Sequence, residues 1–213
     1  MFQESQNREY LELCIHRAKN VDLTWVDQFL DIICDDVSTA DQLRLNDIGC
    51  NLGQFWKGLK KGGKSNIQYF GYDLETIYLE EAKKIFPEIS ERLFNLDITR
   101  EKPPSCDITV CSATLEHLEY LQPGLDNMLQ STRKLFVLRT FLGESALKSI
   151  RMKEGAKIYY NVHQFSFHEI FLSLERNGFS AKVIRDRYTD SMPSYLDHGI
   201  IRTFFIVVGK KAQ

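Results

Sequence analysis

Apolar residues change their spacing close to Leu43. Ahead of it, Leu11, Cys14, Ile15 and Ala18 recur at three- and four-residue intervals, and Trp25, Phe29, Ile32 and Ile33 repeat the pattern. Such spacing gathers side chains on one face of a helix. It predicts a helical cap over residues 1–40, ahead of one larger domain over residues 41–213. Core packing is the expected role of both faces, with a cover over a ligand as the alternative.

From Leu43 onward, short apolar runs alternate with helical segments. Leu43–Ile48 reads as a strand, followed by a glycine-containing loop and a helix over 54–59. A second strand spans 67–72, and a helix over 77–86 is stopped by Pro87. A short strand at 92–95 leads to Asp97, the next strand spans 107–111, a helix is expected over 115–129, and a fifth strand spans 135–139. This alternation predicts a mostly parallel sheet with helices on both faces.

The end of the chain is patterned differently. Ser166 and Glu169 have the spacing of a capping box, Phe167, Ile170, Phe171 and Leu174 form one apolar face, and Gly178 stands where the helix should stop. Two strands, 181–184 and 203–208, follow with no helix between them, so they are expected to pair antiparallel. The segment 190–199 between them, with Met192, Pro193, Tyr195 and His198, is longer than a plain hairpin needs.

Composition narrows the function. The chain has 213 residues, 43% of them hydrophobic, which is enough for one sizeable core. Lys and Arg total 27 against 29 for Asp and Glu, so no broad basic field exists to grip a phosphate backbone, and nucleic acid is not the expected partner. The five cysteines, Cys14, Cys34, Cys50, Cys106 and Cys111, form no CxxC pair. No zinc site is expected, and reduced thiols in a cytoplasmic protein are. The polar start MFQESQNREY has no apolar signal region, and no apolar run approaches the ~20 residues of a membrane span.

The candidate chemistry starts in the loop after the first strand. Asp47, Gly49, Asn51 and Gly53 give the spacing D-x-G-x-N-x-G. The glycines allow a tight turn and close approach to a ligand beyond the carboxyl ends of the strands. Asn51 tolerates the left-handed region better than other non-glycine residues. A dinucleotide site would call for G-x-G-x-x-G and a helix end open to pyrophosphate. An acid two residues before the first glycine repels pyrophosphate but suits a ligand carrying an ammonium and a sulfonium. Asp73 closes the second strand and can accept both hydroxyls of a ribose; Asp97 closes the third and can accept from an adenine amino group while Ile98 packs on the ring.

Here the chain resembles the class I, Rossmann-like S-adenosylmethionine-dependent methyltransferases. Asp47 to Gly53 is similar to the family's first motif, Asp73 to its ribose acid, and Asp97 to its adenine-region acid. Cys106-Asp107-Ile108-Thr109-Val110-Cys111 looks like the fourth strand, and Ser112-Ala113-Thr114-Leu115-Glu116-His117-Leu118 like the S-x-L-E-H-L run of many members. The resemblance implies a doubly wound seven-stranded sheet with a reversed last strand. It implies S-adenosylmethionine as cofactor, with S-adenosylhomocysteine as product, and cofactor contacts from Asp47, Gly49, Cys50, Asn51, Gly53, Asp73, Leu74, Asp97, Ile98 and Ser112.

Methyl transfer from a sulfonium is an in-line displacement in which alignment supplies much of the catalysis. A base is needed where the acceptor must lose a proton, as a hydroxyl must. His117, Glu116 and His163 are the candidates, with His117 favoured by an unperturbed pKa of ~6.5. The alternative for Glu116 is a place in the first turn of a helix capped by Thr114. Arg139, Thr140, Tyr159, Tyr160, Asn161 and Gln164 are further polar groups for the acceptor side. No N-P-P-Y-like run follows the fourth strand and no carboxylate cluster suggests a metal. The expected acceptor is therefore a small molecule, a sugar or another hydroxylated metabolite. The competing readings are a non-catalytic scaffold that keeps the fold and a nicotinamide-dependent oxidoreductase.

Overall fold

The computed structural model describes residues 8–37, 42–153, 158–197 and 199–212. The expectations for the first seven residues and for His198 lie outside them. Helices α1 (Arg8–Asn20) and α2 (Thr24–Asp36) precede β1 (Leu43–Ile48), α3 (Gln54–Lys61), β2 (Ile67–Asp73), α4 (Thr76–Ile85), β3 (Leu93–Asn95), β4 (Cys106–Ser112), α5 (Gly124–Ser131) and β5 (Thr132–Gly143). After these come β6 (Ile150–Lys153), β7 (Ile158–Asn161), β8 (Phe165–Ser166), α6 (Phe167–Arg176) and β9 (Phe179–Arg185). The last elements are β10 (Ser194–Asp197), β11 (Ile200–Arg202) and β12 (Phe204–Lys211).

Seven strands form one sheet in the order β3-β2-β1-β4-β5-β12-β9, and β8 pairs with the far end of β5. The strands from β3 to β5 are parallel to their neighbours. β12 runs antiparallel to both β5 and β9. This is the doubly wound, Rossmann-like sheet with one reversed strand that the pattern and the resemblance predict. The two-residue period divides its side chains between two cores. Leu135, Val137, Ile206 and Val208 face one side, where α2, α3 and α4 contribute Phe29, Phe55 and Leu79. Phe136, Leu138 and Val207 face the other, against Met128 of α5 and Ile170 and Leu174 of α6. Each such fully buried side chain contributes about 1.5–3 kcal/mol. No helix among the described residues is long and apolar enough to cross a membrane.

The capping box at α6 forms as expected. Ser166 Oγ accepts from the Glu169 N–H at 3.1 Å and the Glu169 carboxylate accepts from the Ser166 N–H at 3.0 Å. Gly178 has φ +76°, one residue past the helix C-cap. The single helix expected over 115–129 does not form. A 3-10 turn over Leu115–His117 is followed by irregular chain, and α5 begins only at Gly124. Pro123 explains the break: it has no N–H to continue a helix, and its ring pushes Gln122 out of the helical region. The segment 190–199 contributes β10, which folds back on β11 as a hairpin, with Tyr195 exposed.

Arg139 does not line the acceptor side. It is buried and turned toward Asp186, donating from Nε at 3.1 Å and Nη2 at 3.0 Å, with its guanidinium over the Phe204 ring. Asp186 also accepts from the Thr189 hydroxyl at 2.7 Å, so the pair fixes the turn after β9 to β5. Burial works against the charged form of Asp186, yet the carboxyl is held below its usual range by Arg139 and Thr189. Its contribution to stability is therefore present above the unfolded-state pKa of ~3.9 and lost as pH falls through the lower folded value. Asp186→Asn is expected to remove about 3–5 kcal/mol in urea unfolding at neutral pH, because it strands a buried guanidinium. A loss below ~1 kcal/mol would show that Arg139 needs no carboxylate.

Candidate active site

The loop after β1 is built from left-handed conformations, with φ +72° at Gly49, +48° at Asn51 and +79° at Gly53. A Cβ on Gly49 would collide with Thr114 Oγ1, so the turn after β4 closes directly on this loop. Asn51 also works locally: its Oδ1 accepts from the Leu52 N–H at 2.8 Å. The N–H groups of Gly49 and Cys50 both donate to the Tyr72 carbonyl, that of Asn51 to Asp73 Oδ2 at 2.8 Å, and that of Gly53 to the Cys50 carbonyl. Every N–H from Gly49 to Gly53 thus has an acceptor within the protein, which leaves this loop no free donors for a pyrophosphate. Cys14 and Ala18 of α1 pack against Leu52 of the same loop. Cys50 is buried, and burial pushes its thiol well above its usual value.

The three acids occupy different surroundings. Asp47 is buried and accepts from the Tyr69 hydroxyl at 2.8 Å. Among the described residues no cation lies within ion-pair reach of it, and burial raises its carboxyl to about 7. Asp73 is half-buried at the end of β2, with Oδ2 accepting from Asn51 and Oδ1 from the Glu75 N–H at 3.0 Å. Burial raises it to about 6 against the pull of those N–H groups. Each of its oxygens keeps a second lone pair, and Leu74 beside it is exposed. Asp97 organises its own turn, accepting from the Thr99 N–H at 3.0 Å and hydroxyl at 2.6 Å, with Arg100 Nε 3.3 Å away. Ile98 is buried against the second core.

The other half of the site is made by the ends of β4 and β5. Ser112 closes β4, and Ala113 adopts φ +54°, a conformation that costs an alanine about 1 kcal/mol. Thr114 stands at the N-cap of the 3-10 turn with Glu116 in its first turn, but its hydroxyl makes no cap bond and donates instead to the Ser112 carbonyl at 3.2 Å. Glu116 is buried, accepts from the Thr140 hydroxyl at 2.9 Å, and has its pKa raised by burial. His117 Nδ1 lies 2.7 Å from the Asn161 carbonyl, and Asn161 Nδ2 donates back to the His117 carbonyl at 3.3 Å. A carbonyl only accepts, so Nδ1 carries the proton and Nε2 is the basic nitrogen of the neutral ring.

His163 is buried rather than on an open loop. Its N–H donates to the Glu116 carbonyl, and its Nδ1 accepts from the Ser149 N–H at 3.1 Å. Burial, then the charges of Lys148 and Arg202, push its pKa down. Arg202 is buried too and ties the strands of this region together, donating to the Val162 carbonyl at 3.0 Å and to Ser149 Oγ at 2.5 Å. A cleft of about 380 Å³, with Tyr120, Lys148, His163 and Phe165 in its wall, opens beside them. Sequence reasoning missed Tyr69, Thr114 as a loop contact, Ser149 and Arg202. Their roles depend on partners distant in the chain, which no local spacing reveals. Among the described residues no cluster of His, Cys, Asp or Glu could hold a metal ion.

Residues 46–134 match a family described as a methyltransferase domain. Over those residues the chain is similar to the S-adenosylmethionine-dependent methyltransferases, and its sheet has their Rossmann-like fold. No curated protein matches the sequence. Among solved structures, it is similar to an S-adenosylmethionine-dependent methyltransferase from Clostridium acetobutylicum, with 13% identity, TM-score 0.63 and coverage of 91% of this chain and 94% of that one. Magnesium protoporphyrin IX methyltransferase from Synechocystis, solved with bound SAM, matches at 16% identity and TM-score 0.60, covering 88% and 78%. DesVI from Streptomyces venezuelae matches at 14% identity and TM-score 0.61, covering 95% and 97%. The donor set fits S-adenosylmethionine: a buried carboxyl with no cation in reach among the described residues, a half-buried carboxylate at the end of β2, and a loop with no room for a side chain at Gly49.

Two expectations follow for the cofactor side. Asp47 holds a proton in the folded state that the unfolded chain releases above ~3.9, so stability without ligand falls as pH rises from about 4 to about 7. Asp47→Asn keeps an acceptor for Tyr69 and removes this titration. Its melting temperature without ligand should exceed wild type at pH 8, with the gap closing toward pH 4; equal melting curves at pH 8 would contradict a strained Asp47. Asp73→Ala should weaken S-adenosylmethionine binding at least ~10-fold by calorimetry, from loss of charge-assisted bonds; unchanged affinity would refute the ribose role.

Proposed function

We propose that this methyltransferase methylates a hydroxyl of a small molecule, with His117 as general base. The supporting observation is the 2.7 Å contact of His117 Nδ1 with the Asn161 carbonyl, which fixes the tautomer whose Nε2 accepts a proton. Glu116 and His163 hold that turn in place: the Glu116 carbonyl accepts from the His163 N–H, and its carboxyl accepts from Thr140. The cleft of about 380 Å³ beside His163 has the size of a small-molecule site, with Tyr120 and Phe165 as its apolar wall.

In the same reading Gly49, Cys50, Asn51 and Gly53 form the floor under S-adenosylmethionine, and Asp73 accepts from its ribose hydroxyls. Asp97 and Ile98 flank the adenine, Leu74 and Ser112 border the pocket, and Asp47 balances the positive ammonium from beneath the loop. Helix α1 acts as the cover of the cap region through its contact with Leu52. The bound cofactor supplies an activated methyl group on a sulfonium. On a hydroxyl acceptor Nε2 of His117 would take the proton, the bound cofactor would supply the methyl group, and a methyl ether and S-adenosylhomocysteine would be left.

The test is turnover on a panel of hydroxylated metabolites, read as S-adenosylhomocysteine formed. With the acceptor that responds, His117→Ala should lose ~100-fold or more in kcat while S-adenosylmethionine affinity stays within about twofold. Near-normal kcat would remove His117 from the mechanism.

A further inference from the structure

The polar cleft at the opposite end of the sheet has no part in methyl transfer. It is lined by residues at or near the amino ends of the strands: Arg44 on β1, Gln68 on β2, Arg92 just before β3, Asp107 on β4 and Arg133 on β5. Arg44 stands five residues before Gly49, about 17 Å along the strand direction at ~3.3 Å per residue. The volume of the cleft is about 440 Å³. We propose that this cleft is a second binding site, specific for a phosphate group.

Charge is the first argument. Three arginines face the cleft against one carboxylate, and that carboxylate is already engaged. Asp107 accepts from the Arg44 backbone N–H at 3.0 Å and from Arg133 Nη2 at 3.2 Å. Hydrogen bonding is the second. Arg92 is half-buried and makes no hydrogen bond or ion pair with any described residue. Arg44 Nε is buried with no hydrogen-bond partner, although buried donors are nearly always paired. Its guanidinium is stacked on Phe70, 3.7 Å from the ring centroid, which immobilises the plane. Asp107 bonds only the Arg44 backbone, and among the described residues the Arg44 side chain meets just one neutral acceptor, the Tyr72 hydroxyl, 3.5 Å from Nη2.

Guanidinium groups held apart on β1, on β5 and on the turn before β3 suit a tetrahedral oxyanion, whose oxygens point in several directions; one fork would serve a carboxylate. Ser65 and Gln68 add neutral donors in the same wall. The volume exceeds what phosphate alone fills and matches a phosphate carried on a small organic group. The inference does not rest on the identity of the methyl acceptor or on His117.

The test uses the whole protein saturated with S-adenosylhomocysteine, so that the cofactor end is closed, with ionic strength matched by sodium chloride. Calorimetry and thermal melting are run with inorganic phosphate, a sugar phosphate and citrate. The expected result is saturable single-site binding of a phosphate compound, with a melting temperature that rises with its concentration. Tighter binding of the sugar phosphate than of inorganic phosphate identifies a phosphorylated metabolite as the source; the reverse order identifies free phosphate. Arg92→Gln, on a partly exposed turn, should weaken binding at least ~10-fold without changing the melting temperature of the ligand-free protein. Arg44→Lys, which keeps the charge but removes Nε, should also weaken it. Absence of saturable binding, equal binding by Arg92→Gln, or a preference for citrate would overturn the proposal.

Discussion

Thr114 occupies the space that any side chain on Gly49 would need. That single contact makes the loop after β1 and the turn after β4 one assembled surface. In the proposed reading the loop carries the cofactor half of the site, and the turn leads within three residues to His117. Because the loop's N–H groups are already spent on Tyr72, Asp73 and Cys50, its shape is set before any ligand arrives. Preorganisation of this kind suits a reaction in which alignment matters more than chemical activation.

The two ends of the sheet carry opposite electrostatic debts. At the carboxyl ends Asp47, Asp73 and Glu116 are all shifted upward by burial, so that end favours a cation. At the amino ends Arg44 Nε has no acceptor and Arg92 has no bonding partner among the described residues, which is the basis for an anion at that end. Arg139 and Asp186 show what a satisfied pair looks like in the same fold: two parallel bonds, and further donors on the carboxylate. Groups left unbalanced at the two ends are therefore the candidates for completion by a ligand.

Much of the architecture was legible from spacing. The alternation of Leu135, Phe136, Val137 and Leu138 between two cores is a local property, as is the capping box at Ser166, and both are readable without a structure. The left-handed turn at Asn51 was readable because few residues tolerate it. What was not readable depended on distant partners. Arg139 has the same appearance in sequence whether it meets an acceptor or Asp186, 47 residues on. The break before α5 turned on Pro123 outweighing an otherwise helical run. His163 resembled a loop histidine because the residues that bury it, including Ser149 and Arg202, come from two other segments.

Strand β12 has a consequence for how the chain is made. It lies between β5 and β9 and pairs with both along most of its length. Until residues 204–211 leave the ribosome, β5 and β9 each expose a bare edge, and the two halves of the apolar face under α6 cannot meet. The sheet is therefore closed by its last strand, in a late step made of long-range contacts, which are the slowest to form. During synthesis those open edges are the part of the molecule most in need of shielding from other chains.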